Sequence, residues 1–304
     1  MNKTKMRYIQ RSINLITLSM ILIIGIAISG CIQNSTNQTN ASSGHNQIIN
    51  PNEIRFMLVG DPHVKSSSGG VEGRGNERLR SIVKFADKSD IDFIVFLGDE
   101  ADDGKNRTLG IVKNILNNLT KPYYVVAGNH DIIVSPNLFE NYFGPMEHVE
   151  NVKGYQLLFV GIWNETNYIN PKTHGKVILH WKFDFNNSNK SMPTIIFSHG
   201  PSVNAPMNAT ACNWGTFFGY ANTMQPELNK FSNLLAEYAG HVHYDTDQTI
   251  NGIRYVTVNG LVNKAGGCEN EGASNYVGYS DIKNGKVDFA LINYSEPFKN
   301  PFSN

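Results

Sequence analysis

Cysteine is scarce here: three in 304 residues, none in a Cys-x-x-Cys pair or beside histidine at metal spacing. A thiolate metal site is thereby excluded. Net charge is missing too. Lys plus Arg and Asp plus Glu both number 26. No long run of one sign occurs, so nothing points to nucleic acid bound on a basic face. No repeat of fixed period and no linker composition appears after residue 51, which favours one domain there.

The N-terminus is read separately. Lys3, Lys5, Arg7 and Arg11 precede an apolar run, Leu15 to Ile28, closed by Ser29-Gly30-Cys31. That is the layout of an exported precursor, with residues 1–31 as signal peptide. Small residues before a cysteine also resemble the lipobox of prokaryotic lipoproteins, in which the cysteine carries the lipid. An uncleaved membrane anchor is the alternative, although the run is short against the roughly 20 residues a spanning helix needs. Either way the expected location is extracytoplasmic and membrane-anchored. Residues 32–50, rich in Asn, Ser, Thr and Gln, read as a flexible tether. Asn-x-Ser/Thr triplets such as Asn34, Asn106 and Asn208 allow glycosylation or simply reflect abundant asparagine. Cys212 and Cys268 are either one disulfide or two buried thiols.

From residue 51 to 304 the chain reads as one domain. Ile54–Gly60, Ile91–Leu97 and Tyr123–Ala127 are apolar runs of strand length. Helical spacing separates them over Glu77–Lys88 and Thr108–Leu119. That alternation predicts parallel strands with crossover helices. Further strands are expected at Tyr155–Ile162, Lys176–Phe185, Thr194–Ser198, Ile253–Val258, Tyr276–Ile282 and Lys286–Leu291, with a helix at Leu228–Leu235. Asn284-Gly285 marks a hairpin. Residues 202–225, with Trp214, Phe217, Phe218 and Tyr220, suit a functional loop or lid. The architecture expected is an α/β or α+β four-layer αββα sandwich: two packed mixed sheets flanked by helices.

What is abundant is polar chemistry at strand ends. Asp61 and His63 follow the first strand, Asp99 the second, and Asn129, His130 and Asp131 the third. His199, His241 and His243 stand at later strand ends. Any one acid after a strand could be a helix N-cap. Together, at the edge where open α/β sheets bind ligands, they point to a metal site. Five of the nine histidines belong to this set; His45, His148, His174 and His180 read as structural. Leaving His130 aside, seven ligands (Asp61, His63, Asp99, Asn129, His199, His241, His243) exceed one tetrahedral site and match two sites sharing a bridge. Asp99, with two carboxylate oxygens and a central place in the order, is the natural bridge. Nitrogen and oxygen ligands suit Mn, Fe, Zn or Ni, and two such ions can clamp a phosphoryl group and activate a bridging water.

Asp61-x-His63, Gly98-Asp99-x-x-Asp102, Gly128-Asn129-His130-Asp131, His199 and Gly240-His241-x-His243 resemble, in order and context, the calcineurin-like metallophosphoesterase superfamily. The resemblance covers about residues 54–260. It implies a β-sandwich flanked by helices and a phosphoester hydrolase acting through hydroxide held by two divalent metals. One metal would be held by Asp61, His63, Asp99 and His243, the other by Asp99, Asn129, His199 and His241. His130 would face the phosphate and protonate the leaving oxygen or stabilise the developing charge, and Asp131 would orient His130 and raise its basicity. Purple acid phosphatases place a tyrosine where this chain has Asp102, and lack the histidine found here as His63, so no iron–tyrosinate colour is expected. Asp102 is expected to support its turn or neighbouring loops. The substrate expected is a small phosphomonoester, phosphodiester or nucleotide met outside the cytoplasm, with no nucleic-acid partner; oligomeric state is left open. The alternative is a catalytically silent, surface-anchored binding protein on the same fold.

Overall fold

The computed structural model describes residues 52–66, 74–163, 180–203, 224–262 and 275–303. The export signal, Cys31, the tether, His45, His174, the aromatic loop 214–220, Cys212 and Cys268 lie outside them. Among the described residues no helix is long and apolar enough to cross a membrane.

Strand β1 (Ile54–Val59) is buried along almost its whole length because both its faces are covered. Ile54, Phe56 and Leu58 point one way, into an apolar layer shared with Leu157, Phe159, Phe197 and Tyr238. Met57 and Val59 point the other way, toward helix residues. The period of two along the strand therefore builds two cores at once. Strand β2 (Phe93–Phe96) and β3 (Tyr123–Val125) continue the sheet in parallel. Helix α1 (Arg74–Ala86) buries Leu79, Ile82, Val83 and Ala86, and α2 (Asn106–Leu116) buries Leu109, Val112, Ile115 and Leu116. Those spacings give each helix one apolar stripe, laid on the outer face of the sheet.

Eight-residue helix α3 (Pro136–Phe143), with Pro136 in its first turn, leads into the second sheet. That sheet has the order β4-β5-β7-β8-β10-β9, with β6 paired to β5. Its strands are β4 (His148–Val152), β5 (Tyr155–Trp163), β6 (His180–Lys182), β7 (Thr194–Ser198), β8 (Leu234–Ala239), β9 (Thr246–Ile250) and β10 (Ile253–Thr257). Strands β11 (Tyr276–Lys283) and β12 (Lys286–Asn293) return to the first sheet, in the order β12-β11-β1-β2-β3. Asn284 and Gly285, both at positive φ, turn that hairpin. The fold is thus two packed mixed β-sheets flanked by few helices.

Two expected elements differ, and helix α3 and strands β4 and β9 were not expected. Leu228–Leu235 does not form a helix: helical structure covers 224–228, and Leu234 already begins β8. Alternate residues Leu234, Ala236 and Tyr238 are buried, so the sheet period wins over an apparent helical one. Of Lys176–Phe185, the described strand is only His180–Lys182, because Asp184 accepts the Asn186 N–H and starts a 3-10 turn at Phe185–Asn187. Strand β9 was not foreseen, although Asn251-Gly252 carries the same positive-φ hairpin signal as Asn284-Gly285.

At the pole where β1 begins, Arg55 reaches Glu53 and Asp90 at 2.6 Å and Asp281 at 3.0 Å. Lys153 of the second sheet reaches Asp92 of the first at 2.6 Å. The sheets themselves are joined by rings. Phe197 stacks on Phe159 at 5.2 Å and on Tyr238 at 5.7 Å, and meets Phe56 of the facing sheet edge-on at 5.5 Å. Replacing Phe197 with Ala should cost about 3–5 kcal/mol in urea unfolding. A loss below about 1 kcal/mol would show that this ring does not join the sheets.

Candidate metal centre

The parallel strands of both sheets end at one rim. There the backbone bends in a way few residues tolerate. Asp61, His63, Asp99, His241 and His243, five of the seven expected ligands, all have φ between 42° and 67°. Such left-handed backbone is unusual outside glycine, and its clustering marks a site whose surroundings over-determine it. The glycines beside the ligands permit close approach. A Cβ on Gly128 would collide with the Asp99 backbone, and one on Gly240 would lie 2.7 Å from Asp61 Oδ2.

Among the described residues three groups of Lewis bases converge; one is His63, Asp102 and His130, and the other two hold the expected ligands. In the first of those two, His63 Nε2 and His243 Nε2 lie 3.2 Å apart, and Asp61 Oδ1 lies 3.3 Å from His243 Nε2. In the second, His199 Nε2 lies 3.1 Å from Asn129 Oδ1 and 3.5 Å from Asp99 Oδ1, and His241 completes the cluster. The other oxygen of Asp99, Oδ2, turns to the first group, 3.7 Å from His63 Nε2. Asp99 therefore offers one oxygen to each side. Ring nitrogens and carboxylate oxygens aimed at one another in buried space fit divalent cations, and all seven expected ligands come to this rim. One second nitrogen is arranged accordingly. His199 Nδ1 donates to the Leu97 carbonyl at 2.7 Å, which leaves Nε2 with the lone pair a metal requires.

The electrostatics are those of a tight charge cluster. Burial pushes the Asp99 carboxyl up, but His199 and His130 outweigh it and hold it well below the usual range. Burial likewise opposes ionisation of Asp61, and His243 and His199 reverse it. Burial pulls His199 down, yet Asp99 and Asp61 push it up to about 9. Burial, reinforced by His199, keeps His241 well below its ordinary value.

His130 stands at the rim, its ring 4.7 Å from that of His63 and edge-on to it. Its Nδ1 donates to the Asp102 carbonyl at 2.8 Å. The expected contact from Asp131 to that ring is replaced by another. The Asp131 carboxylate accepts the N–H groups of Gly128 at 2.9 Å, Ala101 at 2.8 Å and Glu100 at 3.3 Å. A three-residue turn brings it back under its own loop, so it ties the loops after β2 and β3 together and acts on His130 through the backbone. Asp102 holds the ring instead. Its Oδ1 also lies 3.4 Å from His63 Nδ1. Of the histidines read as structural, His148 stacks on Phe159 at 4.4 Å, away from the cluster.

One supporting residue was not foreseen. Glu237 on β8 is buried and accepts the Ser202 N–H at 2.8 Å, with further bonds to the Ser202 and Ser198 hydroxyls. It anchors the loop that carries His199. A glutamate inside an otherwise apolar strand was the available signal. Burial raises its carboxyl to about 7, against a partial pull from Ser202. Because the folded value lies above the unfolded one, its contribution is full below about 4.5 and is lost as pH rises through about 7. Wild type should therefore lose stability relative to Glu237→Gln between pH 5 and 8.5 in parallel denaturant titrations. A pH-independent difference would refute this.

The same fold recurs in proteins of low identity. A dimetal phosphatase from Danio rerio matches 79% of this chain and 99% of its own, at 16% identity and a TM-score of 0.51. GAP50, the anchor in the inner membrane complex of Plasmodium, matches 81% and 86%, at 14% identity and 0.52. The purple acid phosphatase PPD1 from yellow lupin (Lupinus luteus) matches 82% of this chain and 52% of its own, at 12% identity and 0.54. No curated protein matches in sequence. The sequence model of the calcineurin-like phosphoesterases matches residues 54–245, the stretch that carries every expected ligand, and the chain belongs to that family.

Proposed function

We propose that this phosphoesterase binds two divalent cations and hydrolyses a small phosphomonoester, phosphodiester or nucleotide. The observation that carries the proposal is the division of Asp99, with one oxygen toward each ligand group. Asp61, His63 and His243 with Asp99 would hold one ion, and Asn129, His199 and His241 with Asp99 the other. Bound there, the ions would neutralise phosphoryl oxygens and lower the pKa of water. The chain's own part is positional and protic. The rim orients the ester, and His130, held at Nδ1 by Asp102, presents Nε2 toward the leaving oxygen. The formal neutrality of the chain and the small apparatus of the rim favour a small ester over nucleic acid.

We further propose that the protein is exported and anchored at the membrane through its N-terminal segment, on the strength of the basic, apolar and Ser29-Gly30-Cys31 sequence. Changing Cys31 to Ser should move the protein from the membrane fraction to the soluble one if a lipid on that cysteine is the anchor. Retention in the membrane would favour an uncleaved apolar anchor.

With added Mn, wild type should cleave p-nitrophenyl phosphate, bis-p-nitrophenyl phosphate or a nucleotide. Asp99→Asn should lower kcat at least a hundredfold and reduce bound metal. Full metal loading with no turnover of any ester would favour the silent binding protein. Unchanged metal content in Asp99→Asn would remove the bridging assignment.

A further inference from the structure

The described strand-end loops beside His130 hold few cations of their own, and Arg78 of α1 donates to the Leu261 carbonyl there. On the described strand-end loops (60–66, 97–105, 126–135, 198–203, 239–245 and 258–262) the cations other than histidine are Lys65 and Lys105. Lys105 points outward, with a side chain 68% exposed and Nζ 3.0 Å from Asp103. Lys65 is placed differently.

Its backbone is clamped. Asn76 of α1, fully buried, accepts the Lys65 N–H at 3.0 Å and donates to the Lys65 carbonyl at 3.2 Å. The residue before it, Val64, pairs with the loop after β2: its N–H reaches the Glu100 carbonyl at 2.8 Å, and its carbonyl receives the Asp102 N–H at 2.9 Å. The residue after it, Ser66, meets Thr108 at 2.9 Å. A buried side chain bonded to both backbone groups of a half-exposed lysine fixes where that lysine starts. Its ammonium lies 3.7 Å from Asp102 Oδ2. Asp102 in turn touches His63 through Oδ1 and His130 through its carbonyl. Lys65 is thus one residue outward from the imidazole that faces the ester.

A pair at this distance with one half-exposed partner adds little stability. The ammonium keeps three donors on a flexible stem, free to exchange Asp102 for a substrate oxygen. We propose that Lys65 reads the charge of the substrate: it binds a non-bridging oxygen of a dianionic terminal phosphate and so favours phosphomonoesters over diesters. This rests on the phosphoesterase reading above. A monoester with a second pKa of about 6 carries nearly two negative charges at neutral pH, whereas a diester carries one. Beyond the metal ions, which would engage either ester, a cation outside the ligand cluster can add a reward for the extra charge.

The test compares Mn-loaded wild type, Lys65→Met and Lys65→Arg by calorimetric titration with inorganic phosphate and with dimethyl phosphate. Lys65→Met should weaken phosphate about tenfold and leave dimethyl phosphate within about twofold, and Lys65→Arg should recover most of the loss. The ratio of kcat/KM for p-nitrophenyl phosphate to that for bis-p-nitrophenyl phosphate should fall about tenfold in Lys65→Met. Equal weakening of both anions, no weakening of either, or loss of Mn from Lys65→Met would overturn the proposal. Wild type that binds phosphate but cleaves neither nitrophenyl ester nor a nucleotide would sink the phosphoesterase reading, while the two titrations still decide the role of Lys65.

Discussion

The carboxylate of Asp61 receives the backbone N–H of His241 through both oxygens, at 2.9 and 3.1 Å. That contact joins the first sheet to the second at the rim, and the rest of the centre depends on it. It places the end of β1 against the loop after β8. His199 makes the reciprocal link by donating to Leu97 at the end of β2. Two sheets packed through phenylalanine and tyrosine rings could slide by fractions of an ångström. These two bonds, each buried and each using a ligand residue, fix the relative height of the strand ends. The geometry of the ligands is therefore also the geometry of the sandwich.

Holding bases so close has an electrostatic cost, which the chain meets with backbone rather than with extra side chains. Left-handed turns at five ligands aim N–H groups and side chains into the same small volume. Asp131 gathers three N–H groups under the loops after β2 and β3, so that Asp99 and Asn129 are presented from a braced platform. Glu237 does the same beneath His199. Two buried carboxylates outside the cluster thus serve as anchors for the loops that carry it.

Much of this was legible in the chain. The convergence of the seven candidate ligands was legible because they follow apolar runs, most of them with a glycine between, which together spell a strand end. Asn129 and Asp99 could be read only as members of the whole set, since either alone could cap a helix. The contacts of Asp131 and Asp102 were not legible. Both are aspartates two or three residues past an expected ligand, and only the path of the loop decides which one turns to the ring of His130. Leu228–Leu235 misled for a related reason: Leu228, Phe231 and Leu234 are all buried at helical spacing, yet they belong to a helix end, a loop and a strand. Edge strand β9, Thr246–Ile250, has polar and exposed residues and no apolar alternation to announce it.

The charged clasp of Arg55, Asp90, Asp281, Asp92 and Lys153 sits where β1 begins, and the ligands sit where β1 ends. Six residues of strand, about 20 Å, separate them. The described chain therefore begins at the pole opposite the candidate metal centre, and β1 is a spacer of fixed length between the charged clasp and the candidate ligands.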